Sequence, residues 1–261
     1  MLQIQNYVRV KSPDEAVELL RKNRSNQIIG GMMWLRMQTR NVMTAIDISD
    51  LGYDQIEEDE EGFLIGAMCT LRDLETHVEL NKHFHYLLRD CVQDIVGVQF
   101  RNGATIGGSI YSRFGFSDIL CALAALHCDV HLHAGGIIPL QEYIQAPYER
   151  DLITHIYLRK EPCLCAFTCV RKSATDLPVL NVAAAKGHDT CRIVIGSRPQ
   201  KAQLFEVPLD EISNPEAIAN QLCEQVSVGD NMRGSAEYRK KLVKALVLRV
   251  LKQIEEEGTE C

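Results

Sequence analysis

Apolar positions along this chain switch between two spacings. Steps of three and four mark helices, and alternation by two marks strands. Ser12-Pro13-Asp14-Glu15 opens the first helix. Ser12 caps, Pro13 suits the first turn, and Glu15 completes a capping box. Ala16, Leu19 and Leu20 form its apolar stripe, and Asn23 marks its end. Gln27-Ile28-Ile29 is a short strand running into Gly30-Gly31, and residues 44–48 form a second strand. The chain therefore opens as helix, strand, glycine turn, strand. Residues 55–61 are acidic and polar and read as a turn between two small lobes. Residues 63–67 are a strand. Thr70 and Asp73 open a helix through Leu80. Residues 83–96 hold another, with Leu87, Leu88, Cys91 and Ile95 on one face.

The stretch Arg101-Asn102-Gly103-Ala104-Thr105-Ile106-Gly107-Gly108-Ser109 then reads as a turn. Gly103, Gly107 and Gly108 lack a Cβ, so they take φ > 0 readily or let a ligand come close. Thr105 and Ser109 add hydroxyls able to donate to phosphate oxygens. Ser117 and Asp118 cap a helix over residues 119–126. Residues 129–133 alternate as a strand, and Ala134-Gly135-Gly136 turns it back into Ile137-Ile138-Pro139. Residues 152–158 are another strand, and Lys160-Glu161-Pro162 is a linker. Beyond it, three β runs at 163–170, 179–185 and 191–196 suggest a small antiparallel sheet. A helix over 214–226 turns Ile218 and Leu222 inward. Ser235 caps the longest helix, from Ala236 to about residue 256. Its stripe of Tyr238, Leu242, Leu246, Val250 and Ile254 has the period of a core-facing helix.

Length allows one large domain or two of ordinary size in 261 residues. A formal net charge of -7 with no basic stripe argues against nucleic-acid binding. No run of 18 apolar residues exists to make a membrane span. Residues 1–6 lack the charged start and apolar run of a secretory signal. The 10 cysteines are scattered through a chain too large to need a disulfide scaffold. A reducing, cytoplasmic location follows from that reading. Cys163, Cys165 and Cys169 share one strand face, but their spacing matches neither zinc nor iron–sulfur sites. They read as a buried apolar face. His83 and His85 stand two apart, so they do not share a helix face for metal ligation.

Ile28-Ile29-Gly30-Gly31, then Arg101-Asn102-Gly103-Ala104-Thr105-Ile106-Gly107-Gly108, then Ser117-Asp118 together resemble the FAD-binding subunit of the molybdenum hydroxylases. This is the xanthine dehydrogenase and carbon monoxide dehydrogenase family. Arg171 to Pro178, Asn181-Val182-Ala183-Ala184 and the 229–239 segment extend the resemblance into the C-terminal part. It implies an α+β chain: a two-lobed, PCMH-type FAD-binding domain over 1–161, with lobes of about 1–55 and 56–161. A C-terminal flavoprotein domain over 162–261 would hold a three-stranded antiparallel sheet plus helices. The resemblance places FAD contacts at Ile28, Ile29, Gly30, Gly31, Met32, Met33 and Trp34. It adds Thr105, Ile106, Gly107, Gly108 and Ser109, then Ser117, Asp118, Ile153 and Thr168. Backbone amides at 30–34 suit a pyrophosphate, which is held by converging N–H dipoles. Trp34 either stacks on a ring or simply packs.

Three positions depart from the family pattern. Met32-Met33 replaces a Thr-Asp pair, Ser109 replaces an asparagine, and Thr168 replaces a lysine. Each loss removes roughly 1 kcal/mol, the scale of one hydrogen bond. The segment between Leu132 and Pro147 is short and lacks cysteine, so the [4Fe–4S] insertion of some family members is absent. The pattern is neither the Rossmann fingerprint nor a lysine-bearing phosphate loop. The resemblance implies an electron-transfer subunit with FAD and no acid, base, nucleophile or metal of its own. Molybdopterin would lie in a large partner subunit and two [2Fe–2S] clusters in a small one, with NAD+ or another acceptor receiving the electrons. Two rivals stand beside this reading. One is a structural or assembly subunit that has lost FAD. The other is a stand-alone FAD oxidoreductase, which would need a substrate domain that the sequence does not provide.

Overall fold

The computed structural model describes residues 1–161 and 163–259. Pro162 of the expected linker and Cys261 lie outside the described residues. The order begins β1 (Gln3–Arg9), α1 (Pro13–Lys22), β2 (Gln27–Ile29), β3 (Asn41–Asp47), β4 (Ile56–Glu58) and β5 (Gly62–Gly66). Six helices follow: α2 (Leu71–Thr76), α3 (Val78–His83), α4 (Leu87–Val92), α5 (Val98–Arg101), α6 (Ile106–Tyr111) and α7 (Asp118–Ala125). Then come β6 (Cys128–Leu132), β7 (Gly136–Pro139), α8 (Leu140–Gln145) and β8 (Ile153–Arg159). The chain ends with β9 (Leu164–Val170), β10 (Leu180–Lys186), β11 (Thr190–Gly196), β12 (Gln203–Pro208), α9 (Pro215–Gln225) and α10 (Ala236–Thr259).

Two compact units result. The first comprises Met1–Asp73, Val98–Ser112 and Cys128–Arg159. The second comprises Leu74–Gly97, Arg113–His127 and the chain from Lys160 on. By packing, residues 74–97 and 113–127 thus group with the C-terminal residues, whereas the sequence reading kept all of 1–161 together.

In the first unit, a parallel sheet runs β1-β3-β2 and an antiparallel sheet runs β4-β5-β8-β6-β7. The α1 start behaves as its residues dictate. Ser12 Oγ accepts from the Glu15 N–H at 3.2 Å, and Glu15 Oε2 accepts from the Lys11 N–H at 2.9 Å. Ala16, Val17 and Leu20 of α1 are buried with Val10, Ile46 and Ile48. Thr70 and Asp73 cap α2 reciprocally: the Thr70 N–H donates to Asp73 at 2.7 Å, and the Asp73 N–H donates to Thr70 Oγ1 at 3.1 Å. In the second unit, one antiparallel sheet runs β12-β11-β10-β9. Its apolar face meets α9 and α10 through Val182, Ile193, Leu222, Val243, Leu246 and Val250. Burying side chains of this size is worth about 1.5–3 kcal/mol each.

The mixed architecture is the expected one, with differences of detail. The C-terminal sheet has a fourth strand, β12, beyond the three expected. The chain opens with a strand, β1, before the first helix. Both are edge strands, and residues 3–7 are exposed. With neither face buried over residues 3–7, β1 carries no alternation to read; β12 turns only Phe205 and Val207 to the core. Part of the acidic 55–61 segment is β4, paired with β5 through Glu58↔Phe63. The helix expected over 83–96 is broken at His85 and Tyr86, both in left-handed backbone at φ 46° and 59°. Within that range His83 ends α3 and Leu87–Val92 forms α4.

Candidate functional site

The first glycine stretch follows β2 and the second leads into α6, both within the first unit. They press against each other. A Cβ at Gly30 would sit 2.7 Å from Thr105 Oγ1, and one at Gly31 would run into the Gly103 carbonyl. A Cβ at Gly103 would strike the Met33 side chain. Gly31 takes φ +52°, the left-handed region that favours glycine, and Met32 follows it at φ 59°. Two successive residues of this hand fold the loop back sharply, and the Met32 N–H donates to the Gly30 carbonyl at 2.5 Å. The amides of Gly31 and Met33 donate to no protein acceptor among the described residues. They are the fixed positive dipoles that a nest offers to an anion. Gly31 is exposed, and Met32 and Met33 are half-buried.

The 101–109 stretch is not a single turn. It ends α5, turns at Asn102-Gly103, and starts α6 at Ile106, so Gly107, Gly108 and Ser109 are helical. Gly103, Gly107 and Gly108 do not take positive φ. What the glycines provide is proximity. A Cβ at Gly107 would lie 2.7 Å from the Ala67 Cβ and carbonyl oxygen. Hydrogen glycine side chains therefore let α6 come down onto the end of β5. The first amides of α6 are already spent. Those of Ile106 and Gly107 donate to the Cys69 and Ala67 carbonyls at 2.9 Å, and that of Gly108 donates to Thr105 Oγ1 at 3.2 Å. The Ser109 hydroxyl, expected to point its hydrogen at a phosphate, donates to the Thr105 carbonyl at 2.8 Å. Thr105 differs: its hydroxyl accepts the Gly108 amide and lies against Gly30, and its own hydrogen is committed to no protein acceptor among the described residues. Among the described residues of these two stretches, the Gly31 and Met33 amides and the Thr105 hydroxyl are donors with no protein acceptor. That set fits a phosphate group, which takes several N–H and O–H donors at once.

Other expected residues are placed as follows. Ile28 and Ile29 are half-buried in β2, and Ile153 is 4% exposed at the start of β8. Trp34 meets Phe100 edge to face, with centroids 5.0 Å apart and planes at 70°. In the second unit, Ser117 caps α7, accepting from the Leu120 N–H at 3.2 Å. Asp118 is buried and both its oxygens are bonded. Oδ2 pairs with Arg171 at 2.5 Å, and Oδ1 accepts from the Asn181 amide at 2.6 Å. Burial pushes the Asp118 carboxyl up, and the Arg171 guanidinium and Asn181 amide pull against it. Thr168 is buried on β9, and its hydroxyl faces the Arg249 guanidinium at 3.5 Å. Arg171 and Asn181 were legible as motif residues, but nothing in their spacing tied them to Asp118. Ala67, on which Gly107 depends, carries no signal of its own.

A family model described as the FAD binding domain in molybdopterin dehydrogenase matches residues 2–158. The uncharacterized protein YgfM of Escherichia coli (strain K12) is 27% identical over 265 residues, 98% of this chain and 99% of that one. The glyceraldehyde dehydrogenase medium chain of Sulfolobus acidocaldarius is 25% identical, covering 95% of this chain and 98% of the relative. In solved structures, a chain of carbon monoxide dehydrogenase from Hydrogenophaga pseudoflava superposes with a TM-score of 0.84 at 20% identity, over 96% of this chain and 97% of that one. That likeness speaks for the fold. The match over most of the chain decides the family: this protein belongs to the FAD-binding domains of the molybdopterin dehydrogenases.

Proposed function

We propose that this chain is the FAD-binding electron-transfer subunit of a multi-subunit molybdenum hydroxylase, an oxidoreductase component. Electrons would arrive from [2Fe–2S] clusters of a small partner subunit and leave to NAD+ or another acceptor. A large partner subunit would hold molybdopterin and the substrate. The observation that carries the reading is the left-handed Gly31-Met32 turn, with two uncommitted amides beside the Thr105 hydroxyl. The medium-chain relative from Sulfolobus supports it, because that protein is named as one chain of a dehydrogenase.

Bound FAD supplies the redox chemistry, and the protein supplies position and electrostatics. Gly31, Met33 and Thr105 would hold the pyrophosphate by direct donation. Gly30, Gly103 and Gly107 act one step back, by letting the two stretches and β5 approach. Asp118 has its carboxylate oriented by Arg171 and Asn181, and its role toward the ligand rests on the family pattern. A cytoplasmic setting is consistent with the nine described cysteines, all free.

A second reading has its own support. Met32-Met33 offers no side-chain hydroxyl or carboxylate, and the first amides of α6 are taken. An assembly subunit without FAD would show these features. Affinity capture from the native host separates complex membership from isolation. The expected result is co-purification of two further polypeptides, with molybdenum and iron in the eluate. Capture of the chain alone, with neither metal, would refute the proposed complex.

A further inference from the structure

Cys163 and Cys165 stand at i and i+2 where the chain enters β9, so a period of two sets both thiols on one face. Their sulfurs are 3.3 Å apart. Their access differs: Cys165 is fully buried and Cys163 is half-buried. The two thiols share a hydrogen bond, and that bond holds the Cys163 thiol below its ordinary value. Burial pushes Cys69, Cys91, Cys121, Cys169 and Cys191 the other way. The thiolate is the attacking species, so reactivity among these groups concentrates at Cys163. A half-open thiol poised to ionise, with a buried thiol against it, is the pairing of an attacking and a resolving cysteine.

We propose that Cys163 and Cys165 form a redox-active dithiol that closes to an intramolecular disulfide on reaction with a small disulfide of the glutathione class. The Cys163 thiolate attacks one sulfur of glutathione disulfide. That S–S bond breaks, and one glutathione thiolate leaves with the electron pair. The Cys165 thiol attacks the Cys163 sulfur, and its proton passes to the departing second glutathione thiolate. The second glutathione thiolate leaves, and the Cys163–Cys165 bond is made. The protein loses two electrons, and one glutathione disulfide becomes two glutathione thiols. Two extended steps of about 3.3 Å separate the Cα atoms by about 6.6 Å. That lies just inside the limit of about 6.8 Å for a disulfide. The bond is therefore within the backbone's reach, and the half-buried Cys163 sulfur stays open to a reducing thiol, as a switch requires and a buried structural staple does not. This site uses none of the residues assigned to FAD, so it stands or falls separately from the proposed function.

The test uses the full-length protein equilibrated in glutathione buffers from fully reduced to fully oxidised. Samples are quenched in acid and alkylated, and the 161–171 peptide is weighed and fragmented. The expected result in oxidised buffer is a peptide lighter by two hydrogens, with no glutathione attached and Cys169 alkylated. Half-conversion should fall within the range of these buffers. Cys165→Ser should trap one glutathione on Cys163, and Cys163→Ser should slow reaction at Cys165 at least tenfold. Persistent glutathione on Cys163 of the unmodified sequence, a bond to Cys169, or both thiols alkylated in oxidised buffer would each overturn the proposal. These three readouts need no variant to fold.

Discussion

Replacing Gly31 with alanine isolates the contribution of one backbone conformation to both folding and ligand capture. The residue sits at φ +52°, and an added Cβ would be driven onto the Gly103 carbonyl. Left-handed backbone costs an ordinary residue about 1–2 kcal/mol. Forcing an extra carbon into a packed contact adds about 1–3 kcal/mol. Backbone cannot swing away as a side-chain end can, so Gly31→Ala is expected to destabilise the protein by about 2–5 kcal/mol in urea unfolding. Relaxation that turns the Gly31 and Met33 amides away removes two donors. At about 1 kcal/mol each, FAD affinity should fall roughly 30-fold. The assay is a fluorescence titration of the cofactor-free protein with FAD, run beside the unfolding curve. Gly108→Ala is the control for stability. Its Cβ would meet only Thr105 Oγ1, at 3.1 Å, and the residue is helical. Alanine gains up to about 1 kcal/mol over glycine in a helix, so unfolding should move little. The reasoning is refuted if Gly31→Ala unfolds with the unmodified protein and binds FAD within twofold of it. It is equally refuted if Gly108→Ala loses as much stability as Gly31→Ala.

Two further outcomes follow from charge. His131 and His155 sit opposite each other on β6 and β8, with rings 6.3 Å apart and with Tyr53, Tyr157, Asp129 and Glu57 around them. Burial pulls both imidazoles below the ordinary 6.5. The unfolded chain then binds more protons than the folded one, so their stability contribution is complete above about pH 6.5 and is lost as pH falls through the folded values. Unfolding midpoints should drop from pH 7.5 to pH 5, and His131→Gln with His155→Gln should flatten that drop; an equal drop in the double variant would reject the assignment. In the second unit, Asp118→Ala strands the Arg171 guanidinium in a buried site. Breaking such a pair costs about 3–5 kcal/mol, so urea unfolding should reveal a loss of that order. A change below 1 kcal/mol would show that the pair is not the constraint its burial implies.

Much of the fold was written locally. The boxes at Ser12 and Thr70 and the cap at Ser117 are short-range hydrogen bonds between residues three or four apart, and such signals survive without tertiary context. The outer strand β1 was invisible because residues 3–7 are exposed, and a strand without a buried face has no alternation; β12 turns only Phe205 and Val207 to the core, too short an alternation to read. The break at His85 and Tyr86 was also invisible. Neither residue is a glycine or proline; the turn is held by buried Asn81, whose carbonyl accepts from the Tyr86 N–H at 2.7 Å and whose Oδ1 accepts from the Arg89 N–H at 2.9 Å. The two glycine stretches were found, but the reason for their glycines was only partly right. Gly107 is required by Ala67, which lies about 40 residues upstream and contributes only a methyl group and a carbonyl. The Thr105 cap was likewise hidden, because Gly107 and Gly108 lower helix propensity just where α6 begins. Asp118 was chosen for its motif. Its pairing with Arg171 and Asn181 is a long-range contact that no spacing encodes.

The central claim is that backbone amides and one threonine hydroxyl suffice to hold FAD where Met32-Met33 replaces a side-chain hydroxyl and a carboxylate. Its most direct measurement is the visible absorption spectrum of the purified protein, with the nucleotide released by denaturation, identified and counted. A yellow protein yielding about one FAD per chain is the predicted result, with NADH then bleaching the colour if NAD+ is the acceptor. A colourless protein that takes up no added FAD would contradict it and leave the assembly-subunit reading in its place.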